Sequence, residues 1–137
     1  MIKTLSYYRL LPDSMPEEDV AQEFYYLLKE VPHSKRSRHD FLEALLELSD
    51  RQWHTYKKLR KPLKAQIEKV LISCWDGFDL KFAEGSIVVA THLGLVELFD
   101  FIARQKASEL SPEVAVEIKE SVAELGKDIA DPYSGIE

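Results

Sequence analysis

Residues Asp79 to Ala107 read DLKFAEGSIVVATHLGLVELFDFIARQKA, and the way this stretch folds decides the architecture of the chain. In its first half Leu80, Ala83, Ile87 and Ala90 recur at helical spacing while Phe82, Val89 and Leu93 cover a second side, so this half is expected to be a helix apolar nearly all round. Such a helix belongs in the middle of a domain. In the second half Leu95, Leu98, Phe99 and Ile102 form one apolar stripe, with Glu97, Asp100 and Arg104 opposite, where Asp100 and Arg104 can pair across one turn. Gly94 stands between the halves, where a left-handed helix terminus favours glycine, so the spacing predicts an antiparallel helical hairpin at the centre of the core. The rival is one continuous helix carrying Gly94 internally, at about 1 kcal/mol relative to alanine.

Outward from this hairpin, the same periodicity predicts helices along most of the chain. Residues 1–11 are ambiguous: Tyr7 and Tyr8 favour a strand, but no partner strand follows, so a short helix or an irregular lead-in is expected. Acidic Glu17, Glu18 and Asp19 open a helix over residues 16–30 that buries Val20, Phe24, Leu27 and Leu28 and ends at Pro32. Ser37 with Asp40 resembles an N-terminal cap for a second helix carrying Phe41, Leu42, Leu45, Leu46 and Leu48. Ser49 and Asp50 are read as closing that helix and capping another, with Trp53, Tyr56 and Leu59 on one side and Lys57, Lys58, Arg60 and Lys61 on the other, before Pro62 interrupts. Ile67, Val70, Leu71 and Cys74 form the stripe of a helix ending near Gly77. Ser111 and Pro112 begin a last helix expected to bury Val114, Ile118, Val122, Leu125 and Ile129.

The chain is thus expected to be all-α, a single domain over residues 1–137 built as a bundle of six or seven helices, with stacked helical hairpins as one arrangement. The central hairpin resembles HEAT or armadillo architecture, although no fixed repeat period runs through the sequence. The 45% hydrophobic and 31% charged content suits a globular chain, and no apolar run reaches membrane-spanning length. The start MIKTLSYYRLL lacks the pattern of a secretory signal, and one cysteine, Cys74, permits no internal disulfide; both point to the cytoplasm.

Recognised chemistry is scarce. The five glycines make neither a phosphate loop nor a dinucleotide fingerprint, so no cofactor is expected. One cysteine and four scattered histidines offer no zinc spacing; His39 and Glu43 could face each other across one turn but are too few for a metal site. Cys74 lies in an apolar stripe, His92 stands where it can cap the carbonyls of the central helix, and His54 between Trp53 and Tyr56 is read equally as part of a binding surface or as a partly buried structural imidazole. The expectation is a protein without enzymatic activity and without a catalytic residue.

Charge is where the pattern is informative. The net −6 divides into −3 over residues 1–32, +5 over residues 33–69 (ten Lys/Arg against five Asp/Glu) and −8 over residues 70–137 (five against thirteen). On the last helix Glu113, Glu117, Glu120, Glu124 and Asp128 follow spacings of four, three, four and four, which lays five carboxylates along one stripe beside the buried face. Glu97 and Asp100 add to it if that helix packs on the central hairpin, as Glu84 and Glu109 would. A rigid row of carboxylates attracts a cationic protein, so the sequence is read as an immunity protein or antitoxin that neutralises a basic nuclease-type toxin. The alternative is a nucleic-acid-associated or regulatory helical adaptor using Trp53, Tyr56, Lys57, Lys58, Arg60 and Lys61, with Arg51, Lys64 and the group His33, Lys35, Arg36, Arg38 and His39 nearby.

Overall fold

A computed structural model describes residues 3–30 and 38–125, and every regular element among them is helical. Seven α-helices follow in order: α1 (Leu5–Arg9), α2 (Glu17–Glu30), α3 (Arg38–Trp53), α4 (Lys61–Ser73), α5 (Leu80–Leu93), α6 (Val96–Ala103) and α7 (Pro112–Leu125), with a 3-10 turn at Ala107–Glu109. Their packing alternates along the chain. Helix α1 lies on α3, α3 on α5 and α5 on α7, while α2 lies on α4 and α4 on α6; contacts α2–α3, α5–α6 and α6–α7 join the two rows. Each helix therefore meets the one two places further on, which is how stacked helical hairpins bury a continuous core. Phe24, Leu45, Leu48, Leu63, Phe82, Leu93, Leu95 and Leu98 are fully buried in it.

The central hairpin forms as the apolar pattern predicts. Gly94 takes φ 68° and ψ 40°, and the Leu95 amide donates 2.9 Å back to the Ala90 carbonyl, the left-handed exit that an L-residue resists and glycine does not. That geometry excludes the continuous helix. Gly85 serves α5 differently: a Cβ placed there would stand 2.5 Å from Leu42 Cδ2, so the absent side chain lets α5 close on α3. Helix starts are capped by Asp79, whose Oδ1 accepts from the Phe82 amide at 3.0 Å, and by Ser111, whose Oγ accepts from the Val114 amide at 3.3 Å. Helix α6 has no side-chain cap of its own; buried Glu68 of α4 reaches across, its Oε2 accepting from the Leu98 amide at 2.9 Å. A carboxylate at the positive end of a helix dipole is favourable, and this one also ties α4 to α6.

Several sequence expectations are corrected. Helix α3 does not end at Ser49 and Asp50: the buried face formed by Phe41, Leu45 and Leu48 continues through Ser49 and Gln52, and Ser49 Oγ donates 2.9 Å to the Leu46 carbonyl instead of capping a new helix. Residues 54–60 are consequently a loop, and Pro62 lies in the first turn of α4. The lead-in, by contrast, takes one of its two expected forms, the short helix α1, with Tyr8 buried. Val122 and Leu125 are 41% and 36% exposed, because neighbouring helices cover α7 only at Val114, Ile118 and Ser121. Pro32, Ser37 and Ile129 lie outside the described residues.

Arg51, expected on a basic surface, is buried. Its Nη2 donates to the carbonyls of Leu11 (2.8 Å) and Arg9 (3.3 Å) and its Nη1 pairs with Glu47, fastening the end of α1 to α3. Glu68 gives the most direct test of these cross-ties. Replacing Glu68 with Ala leaves the Leu98 amide without its acceptor and should lower stability by about 1.5–3 kcal/mol, as read by urea denaturation; Glu68→Gln, which keeps an acceptor oxygen, should lose less.

Candidate functional site

Helix α7 presents Glu113, Glu120 and Glu124 to solvent, with Glu117 half-buried on the same line and accepting from Ser121 Oγ at 3.4 Å. At 1.5 Å rise per residue these carboxylates succeed one another about every 5 Å along the axis. Asp128 lies outside the described residues. Because α7 packs on both α5 and α6, the exposed Glu97 and Asp100 of α6 stand on a neighbouring helix. They line an open groove of about 340 Å³ with Phe101, Arg104 and Gln105. Asp100 and Arg104 do not form the ion pair that their spacing allows, and among the described residues none of the six carboxylates pairs with a cation. Like charges one turn apart repel by about 0.2–0.5 kcal/mol per pair.

The basic segment is held just as definitely. Buried Gln52 donates from Nε2 to the Lys57 carbonyl at 2.7 Å, and Thr55 Oγ1 donates to the Gln52 carbonyl at 2.7 Å and accepts from the Lys57 amide at 3.1 Å. These bonds fix a tight loop in which Tyr56 takes φ 58° and is 65% exposed. A left-handed conformation costs an L-residue about 1–2 kcal/mol, which the surrounding bonds sustain. Lys57, Lys58, Arg60 and Lys61 are exposed around it, and Arg60 approaches Glu17 at 3.8 Å. Trp53 is set apart from them: it is half-buried with its ring centroid 5.5 Å from that of His92.

Other titratable residues fasten helices to one another. His39 Nε2 meets Asp79 Oδ2 at 2.6 Å, and Arg38 donates to Asp76 at 2.9 Å and to Asp79 at 3.3 Å, so the starts of α3 and α5 are clamped together and His39 turns away from any pairing with Glu43. Burial pushes the Asp79 carboxyl up, but the Phe82 amide, His39 and Arg38 outweigh it and hold the group below the usual carboxylate range. His33, Lys35 and Arg36 lie outside the described residues. His92 packs on Trp53 with Nδ1 3.5 Å from Ser49 Oγ, which corrects the expected carbonyl-capping role. Cys74 is half-buried at the end of α4. Among the described residues no group of three or more His, Cys, Asp or Glu side chains is placed to hold a metal ion, and no helix is long and apolar enough to cross a membrane.

One feature of the surface escapes the helical pattern. Tyr25 and Tyr26 are 38% and 43% exposed on α2, and with Glu18, Ala21, Gln22, Lys29 and Arg60 they line a groove of about 580 Å³. Tyr26 is held in place: Gln22 Nε2 donates to its hydroxyl at 2.9 Å, and Lys3 Nζ stands 4.2 Å from its ring centroid. The signal for this groove in the sequence is two adjacent aromatics off the stripe of Val20, Phe24 and Leu27, but the Arg60 wall depends on tertiary packing. A second groove, of about 410 Å³, runs between the α1–α2 connection and the basic loop, with Met15, Glu17, His54 and Lys57 among its walls.

Comparison with protein-family models, with curated proteins and with solved structures finds no match for the chain.

The half-buried imidazole of His92 yields a pH dependence. Burial, and to a smaller extent His54, push His92 below its ordinary value of 6.5 against the opposing pull of Asp50. The unfolded chain therefore takes up this proton more readily than the folded one, and stability falls as pH drops below about 6.5. The urea midpoint should decrease between pH 7.5 and 5.5, and the decrease should shrink in His92→Gln.

Proposed function

We propose that the protein is a non-enzymatic binding protein whose α7 face receives a positively charged protein. In its most specific form, the reading is an immunity protein or antitoxin that occupies the basic cleft of a nuclease-type toxin. The observation that supports it is the row of Glu113, Glu117, Glu120 and Glu124 on one helix, with no cation paired to it among the described residues. A helix that carries its carboxylates in a line opposes its own folding slightly, and a partner's lysines and arginines relieve that repulsion on docking.

Geometry adds to charge. The row is rigid because the adjacent face of α7 is anchored through Val114 and Ile118, so little conformational entropy is lost when a partner arrives. The groove between Glu97, Asp100 and Phe101 offers a half-buried ring beside two carboxylates, a combination that suits an arginine side chain with its stem on the ring and its guanidinium on the acids. Long-range attraction of this kind raises the association rate and weakens with salt, whereas the packed contacts set the lifetime.

The test is capture of partners by the wild-type chain and by the triple variant Glu117→Lys, Glu120→Lys, Glu124→Lys, with circular dichroism confirming that the variant remains helical. A basic protein should be retained at low salt, released as salt rises and held at least tenfold more weakly by the triple variant. If it protects, co-expression with that partner should abolish the partner's nuclease activity. Equal retention by both forms would remove α7 as the binding face.

A further inference from the structure

Positive charge is gathered in an unfavourable place at the start of α4. Arg60 is the N-terminal boundary residue of α4 and provides no side-chain cap; Lys61 follows it, no acidic residue occupies the first turn, and Lys64 comes one turn later. Cations there oppose the positive end of the helix dipole. They also oppose one another: burial pushes the Lys64 ammonium down, and Lys58 and Lys61 add to the effect, with Glu68 acting the other way. An anion would relieve this strain.

The adjoining groove has the shape and the walls for such an anion. Its volume of about 580 Å³ is in the range of small-ligand sites. Tyr25 and Tyr26 are exposed although the core-facing stripe of α2 is already complete, and they stand in the same concavity as Lys29 and Arg60. Arg60 meets its nearest acid, Glu17, at 3.8 Å, longer than a bidentate guanidinium–carboxylate pair, so a phosphate can displace it. Glu18 also lines the groove, where a carboxylate can accept from ring amino groups.

We propose that the groove between the outer face of α2 and the start of α4 binds a nucleotide, with its base against Tyr25 or Tyr26 and its phosphates on Arg60 and Lys29. The Lys58, Lys61 and Lys64 group supplies the surrounding positive field. A mononucleotide fits better than an extended strand, because Glu17, Glu18 and Asp19 open α2 and would repel phosphates running past the groove. The site is separate from the acidic face of α7 and does not depend on its role.

Isothermal titration of the whole chain with ATP at low salt tests the assignment. Saturable one-to-one binding is expected, weakened at least tenfold by Arg60→Glu and about fivefold or more by Tyr25→Ala combined with Tyr26→Ala. Inorganic tripolyphosphate should bind more weakly than ATP, and Glu120→Lys, on α7, should leave the affinity unchanged. Arg60→Gln, which removes the charge without placing a second acid beside Glu17, serves if Arg60→Glu does not fold, and should also weaken binding. An eight-residue oligothymidylate distinguishes the sources: tighter binding than ATP assigns the groove to a strand end, weaker binding to the free nucleotide, and both keep the site. Absence of saturable binding by ATP and oligonucleotide alike, tripolyphosphate binding as tight as ATP, or an unchanged affinity in Arg60→Gln would overturn it.

Discussion

The distance between α3 and α5 is the constraint on which the two rows of helices depend. Leu42 fills the space that a side chain on Gly85 would need, and with no Cβ in the way the two longest buried faces of the chain come together. Because α1 rests on α3 and α7 on α5, the spacing of that one pair is passed along the odd-numbered row. The even row is registered to it through the α2–α3 and α5–α6 contacts, and Glu68 then holds α6 by the Leu98 amide. A packed interior transmits such a dimension because it contains few voids to absorb a misfit.

Charge in this chain divides into two kinds by burial. Arg51, Glu68 and Glu23 are nearly inaccessible and each is matched: Arg51 by carbonyls and Glu47, Glu68 by a helix amide, Glu23 by Lys3 and the Tyr7 hydroxyl at 3.0 and 2.5 Å. Such groups would be strongly destabilising if left alone in the interior. The α7 carboxylates and the cations of the loop and the first turn of α4 are the other kind, mostly exposed and clustered by sign. Functional readings belong to the second kind, since their charge faces solvent and a partner can reach it.

Much of the fold is legible in the sequence because helical periodicity records burial directly. The hairpin about Gly94, the cap at Ser111, and the stripe of α7 through Val114 and Ile118 all follow from spacing. Errors arose where a residue's local preference competed with tertiary burial. Ser49 and Asp50 have the chemistry of a helix boundary, yet Leu48, Ser49 and Gln52 continue one buried face and the helix runs through them. Arg51 looked like a surface charge because its partners, main-chain carbonyls about 40 residues away, leave no periodic trace, and the role of Glu68 toward the Leu98 amide is hidden from spacing in the same way. For the same reason the acidic row could be read from one helix alone, whereas the groove joining Tyr25 and Tyr26 to Arg60 needed two.

Arg51 grips α1 by main-chain oxygens at Arg9 and Leu11, and Leu10 between them is almost wholly exposed. A clasp that recognises carbonyls is indifferent to the identity of the residues that bear them. Side chains at positions 9 and 10 are therefore at liberty to diverge while the attachment persists, whereas even lysine at position 51, with a single ammonium in place of a planar fork, would reach fewer of those oxygens at once.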